Sequence, residues 1–138
     1  MLYLTRFTFP DAETESSFFI NEVKRTCYDS YYPFGVLSPK ELTSLDFEPV
    51  TILYGGNGSG KTTALNVIAE KLALRRDARY NRSSFYEDYL RRCDFESRGM
   101  IPPEFTVLAL ERKEIKRYSI IFSPLHKKNV SSIQYSII

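Results

Sequence analysis

The chain has 138 residues, 43% hydrophobic and 26% charged, which is the composition of one globular domain or part of a larger one, not of a disordered or fibrous chain. Nineteen basic and seventeen acidic residues leave a net charge of +2, a balance that predicts no polyanionic partner. No apolar run approaches the roughly 20 residues that span a bilayer, so no membrane partner is expected.

Residues 2–9 are rich in aromatic, aliphatic and β-branched types, with Tyr3, Thr5, Phe7 and Phe9 on one face, which predicts a strand stopped by Pro10. The acidic residues 11–15 predict a surface loop. Residues 18–27 fit a strand or a short helix equally well, and 28–35 carry turn chemistry among four aromatics. Ser38, Pro39 and Glu41 form an N-cap signature and predict a short helix. Leu45 and Phe47 alternate with Asp46 and Glu48, as in a strand with one wet face. Residues 50–54 are a short apolar run bounded by glycine and predict a fully buried parallel strand. Beyond the glycines, Ala64, Leu65, Ile68, Leu72 and Ala73 recur at helical spacing. Ser84 and Glu87 predict a second capped helix, with Phe85, Tyr89, Leu90 and Cys93 on its buried side. Residues 105–110 predict a strand. Two short apolar runs follow, 118–122 and 133–138, separated by Pro124 and a basic turn.

Four of the six glycines lie between the central strand and the first amphipathic helix. Residues 55–62 match G-x-x-x-x-G-K-[ST], and each residue type has a physical reason. Gly55, Gly58 and Gly60 let the backbone curl so that successive N–H groups face one phosphate, where side chains would crowd the approach. The helix starting near Gly60 adds its positive end. Lys61 is expected to bridge β- and γ-phosphate oxygens, the Thr62 hydroxyl to ligate Mg²⁺, and Thr63 to reach the α-phosphate.

With Asn57 between the glycines, Ser59 before Gly60, and a Thr-Thr pair after the lysine, this segment resembles the ABC-class ATPases. More narrowly, it is similar to the RecF, chromosome-maintenance (SMC) and predicted AAA-type ATP-binding proteins. The upstream layout agrees: an N-terminal strand, a second near residues 45–49, then the strand into the loop. The likeness covers about residues 1–105 and is specific at 50–72. It implies an α/β fold, a P-loop NTPase core fragment with an N-terminal antiparallel β element. It also implies ATP and Mg²⁺ as cofactors, a cytoplasmic location, and a homodimer or a full-length ATPase as partner. By the same likeness, residues 57–63 carry the nucleotide.

An ABC-class site also needs a Mg²⁺-contacting glutamine, a serine–glycine signature, and an apolar strand ending in Asp-Glu. The one glutamine, Gln134, falls outside the strand-to-loop context that role requires. His126 reads as a surface residue. Glu111, after the apolar run 105–110, is a candidate Mg²⁺-side acid, but an ordinary core strand ending in a surface glutamate explains it better. From residue 112 onward six basic residues face one acid. The shift divides the chain into 1–110, the N-terminal part of an ABC-class domain, and 111–138, a basic tail foreign to the family. Such domains are much longer than this chain, so it reads as a fragment that binds nucleotide without hydrolysing it alone. The neighbours of strand 50–54 should be parallel and come from outside this chain. Two alternatives stand beside this reading: a complete small ATPase or kinase using Glu111, and a regulatory fragment that docks on a full-length ATPase.

Arg75, Arg76, Arg79, Arg82, Arg91 and Arg92 follow the loop helix. A nucleic-acid contact is one reading, and a solvated face interspersed with acids is the better one. Tyr31, Tyr32 and Phe34 are aromatics upstream of the loop, where the resemblance implies a ring against adenine and packing explains them equally well. Two cysteines and one histidine cannot build a four-ligand Cys/His zinc site, and such sparse cysteine suits a reducing cytosol. Cys27 and Cys93 read as buried hydrophobes. At the N-terminus, Arg6 and the acids after it stand where an export signal would need its apolar stretch.

Overall fold

The computed structural model describes residues 4–24, 28–48, 50–74, 81–98, 106–108, 118–122 and 133–137. The fold is mixed α/β with two small sheets. Strand β1 (Leu4–Thr8) lies between β2 (Ser44–Asp46) and β4 (Asp94–Ser97), antiparallel to both, giving the expected N-terminal antiparallel element. Leu45 and Phe47 are buried, as their alternation predicts. In β1 the alternation is broken, because Leu4 is buried as well as Phe7 and Phe9. The β1–β4 register shifts between Leu4 and Arg6, and the irregularity turns Leu4 inward.

The acidic segment after Pro10 is not a loop. It opens helix α1 (Ala12–Asn21), whose N-cap Asp11 accepts a 2.8 Å hydrogen bond from the Thr14 N–H. Glu13 and Glu15 stand in the first turn, where the helix dipole favours negative charge. The ambiguous segment from Phe18 is therefore helical as far as Asn21, and Cys27 lies outside the described residues. The Ser38 signature yields only a 3-10 turn at Ser38–Lys40, with no side-chain cap at Leu37. Ser38 Oγ donates instead to Glu15 Oε2 at 2.7 Å, and Glu41 stops the turn with φ at +57°.

Strand β3 (Val50–Tyr54) leads through the glycine loop into helix α2 (Lys61–Lys71). The helix is buried on more than one face: residues 63–69 are all inaccessible, and Leu72 packs at the core edge. Ala73 departs from the predicted stripe. It is exposed, with φ at +52°, and closes a Schellman turn in which Leu74 N–H reaches Ala69 O at 2.8 Å. Helix α3 (Tyr86–Arg92) begins two residues after Ser84 and lacks the predicted capping box. The N-cap is Phe85, with no side-chain cap; its N–H donates to Ser83 Oγ at 3.1 Å just ahead of the helix, while Glu87 pairs with Arg82. Its predicted stripe of Phe85, Tyr89, Leu90 and Cys93 is buried. Lys71 Nζ ties α2 to α3 by donating to Leu90 O at 2.8 Å.

The second sheet has the order β5-β6-β3-β7, with β5 at Thr106–Leu108, β6 at Tyr118–Phe122 and β7 at Ile133–Ile137. The expectation of two parallel neighbours from outside the chain is overturned. β6 runs antiparallel to β3, pairing Val50 with Phe122, and β7 runs parallel, pairing Val50 with Ile133. The two apolar runs of the tail are the partners, so both edges of β3 are covered. Gln134 lies within β7 opposite Thr51. Glu111 and His126 lie outside the described residues, and no helix among those described is long and apolar enough to cross a membrane.

Candidate functional site

The glycine loop joins the central strand of one sheet to the most buried helix, so both of its ends are held. Gly58 and Gly60 have φ of +76° and +95°, conformations that L side chains rarely adopt. Gly60 is also crowded: a Cβ built on it stands 2.8 Å from Leu37 Cδ2. The 3-10 turn thus closes against the end of the loop. The first α2 hydrogen bond not confined to the helix body runs from Ala64 N–H to Gly60 O at 2.8 Å. The N–H groups of Lys61, Thr62 and Thr63 precede it and have no intrahelical acceptor.

Lys61 folds back over the loop. Its Nζ donates to Gly55 O at 2.7 Å, Gly56 O at 2.8 Å and Ser59 Oγ at 3.0 Å. The side chain is only 8% exposed, and burial pulls its pKa below the ordinary lysine value. All three partners are neutral. Among the described residues no carboxylate forms an ion pair with this ammonium. A buried cation held only by dipoles has an unbalanced charge, and an anion entering the loop would balance it.

The other predicted loop residues divide by exposure. Asn57, Gly58 and Thr62 are exposed, and Ser59 and Gly60 are half-buried. Thr63 is buried, and its Oγ1 accepts from Tyr32 OH at 3.3 Å, while Asn66 Nδ2 donates to the same phenol oxygen. Tyr32 is thereby linked to the loop helix. Phe34 instead stacks on Phe18 in the core at 4.8 Å, and Tyr31 joins an aromatic cluster with Phe19, Tyr28 and Phe85. Of the predicted arginine cluster, Arg75, Arg76 and Arg79 lie outside the described residues, and the other three are engaged within the chain. Arg82 pairs with Glu70 and Glu87, Arg91 with Asp88, and Arg92 with Glu22. Cys93 is a buried free thiol whose pKa is pushed up to about 12 by burial, as a packing residue would be.

Two residues near the site carry no sequence signal of their importance. Glu15 looks like one acid among several, yet it is 6% exposed and accepts from Gly35 N–H at 2.9 Å as well as from Ser38. It fixes α1 to the turn that meets Gly60, at the floor of a groove of about 590 Å³ walled by Phe19, Ile20 and Tyr31. Lys40, at the end of that turn, lies against Gly60 through its stem. Among the described residues, no group of three or more His, Cys, Asp or Glu could hold a metal unaided. Comparison of the chain with protein-family models, with curated proteins and with solved structures finds no match to any of them.

Proposed function

We propose that this chain binds ATP with Mg²⁺ through residues 55–63, as the N-terminal portion of a cytoplasmic ABC-class P-loop ATPase. One observation carries the reading: a nearly inaccessible lysine, placed by a phosphate-loop motif, is surrounded by neutral acceptors and wants an anion. The residues present fit a triphosphate. The positive-φ glycines keep side chains out of the loop, the first-turn N–H groups of α2 are available as donors, and Lys61 supplies the charge. Thr62, exposed at the second helical position, is the residue that would hold Mg²⁺ through its hydroxyl. When bound, the metal neutralises charge that develops during phosphoryl transfer.

On this reading the chain's own activity is binding. Among the described residues, which do not include Glu111, no ion pair links a carboxylate to Lys61 and no hydrogen bond links one to Thr62 or Thr63. Orienting an attacking water is left to a second copy or to a full-length ATPase that completes the site. Titration of the purified chain with ATP and Mg²⁺, beside Lys61→Ala, tests the proposal. Saturable, Mg²⁺-dependent binding that weakens at least about tenfold in the variant is expected, since a lost charge-assisted contact costs about 1.5–3 kcal/mol. Equal binding by both proteins, or none by the wild type, would overturn it.

A further inference from the structure

We infer that Lys40 is a second cationic contact for the polyphosphate held by loop 55–63, an inference that rests on the nucleotide-binding reading above. Lys61 turns back across the loop, its ammonium held by Gly55, Gly56 and Ser59. Lys40 lies at the loop's C-terminal end. Its Cδ and Cε are 3.6 and 3.8 Å from the position a Cβ on Gly60 would occupy, which leaves the ammonium one bond beyond. Two lysines therefore stand against the loop.

The placement of Lys40 is built into the fold. Lys40 N–H donates to Leu37 O at 3.0 Å, and Leu42 N–H donates to the same oxygen at 3.3 Å, so the turn is closed on both sides of Lys40. Leu37 is fully buried and reaches Gly60 with its methyl. Ser38 is held by Glu15. Glu41 then takes the left-handed conformation and turns the chain away. Lys40 itself is exposed, and no described carboxylate pairs with it, including the adjacent Glu41. An exposed, unpaired cation whose stem is fixed on a phosphate loop is placed to follow the phosphates of an incoming chain of them. It adds attraction beside Gly60, at the loop's C-terminal end.

The test compares wild type, Lys40→Met, Lys40→Arg and Lys61→Ala in titrations with ATP–Mg²⁺ and with inorganic tripolyphosphate, at two salt concentrations. Methionine keeps an unbranched stem over Gly60 and removes the charge. Lys40→Met should bind both probes about 3- to 10-fold more weakly and with a shallower salt dependence, and Lys40→Arg should recover the affinity. Labelling of surface amines on the unmodified chain gives an independent readout. ATP should protect Lys40 and leave the exposed Lys24 unchanged. Wild-type affinity and salt dependence in Lys40→Met, while Lys61→Ala loses binding, would overturn this inference and spare the reading beneath it. Equal labelling of Lys40 with and without ATP would do the same. Absence of binding by the wild type would overturn both.

Discussion

Replacing Gly60 by alanine should be the most damaging single-methyl change in the loop. Gly60 has φ of +95°, where an L residue carries strain of about 1–3 kcal/mol. The new Cβ would stand 2.8 Å from Leu37 Cδ2, about 1 Å inside an ordinary carbon contact. Leu37 has no exposed surface, so its methyl cannot swing into solvent, and relieving the overlap must move packed atoms at about 1–3 kcal/mol. The two effects together come to about 2–6 kcal/mol, a large share of a typical total near 5–15 kcal/mol. Gly58→Ala is the internal control: φ is +76° and nothing lies within 4 Å of its Cβ, so only backbone strain of about 1–2 kcal/mol applies. Urea melts of both variants with unchanged m-values give the difference directly. Removing the obstructing methyls with Leu37→Ala should then reduce the further cost of Gly60→Ala by about 1–2 kcal/mol in a double-mutant cycle. If Gly60→Ala proves no less stable than Gly58→Ala, or the cycle shows no coupling, Leu37 does not seat against the loop and the argument fails.

Burial pushes the Glu15 carboxyl above the ordinary glutamate range, opposed by its hydrogen bonds from Ser38 and Gly35. The folded chain then holds that proton more tightly than the unfolded one. This group's contribution to stability therefore falls as pH rises from the unfolded glutamate value through the raised folded value, and is restored on acidification. Glu15→Gln should remove that slope, so superimposable stability–pH curves for wild type and variant would contradict the assignment. Glu15→Ala leaves Gly35 N–H and Ser38 Oγ without their acceptor and should cost about 2–3 kcal/mol in the same melts. Ala73→Gly should stabilise the chain by about 0.5–1 kcal/mol, because glycine adopts φ near +52° without a Cβ penalty and loses part of that gain to unfolded-chain entropy. A melting temperature that fails to rise would show that the Ala73 conformation carries no strain.

What could be read along the chain was local. The strand, loop and helix over 50–71 are contiguous, and each is specified by residues within a few positions: β-branched and apolar types, then glycines, then a helical apolar repeat. Leu45, Phe47 and the stripe of Phe85, Tyr89, Leu90 and Cys93 are buried for the same reason, since burial follows a short period. Helix α1 was legible too, through Asp11 and the acids behind it, but acidic composition pointed to a loop and concealed the cap.

Tertiary structure decided the pairings. Nothing near residue 50 states that β3 takes an antiparallel neighbour at 118–122 and a parallel one at 133–137, because ladder bonds join backbone groups that every residue possesses. Ser38 and Ser84 sit in sequence contexts suited to capping. Ser38 instead meets a buried carboxylate, and α3 starts at Tyr86 without a side-chain cap from Ser84. The neighbours of the loop were likewise invisible in one dimension: Leu37 and Lys40 lie some twenty residues from Gly60 and meet it only because the turn folds over α2's first residue. The residue types of the glycine loop are thus a property of the sequence, whereas what stands against that loop depends on long-range packing that no local pattern encodes.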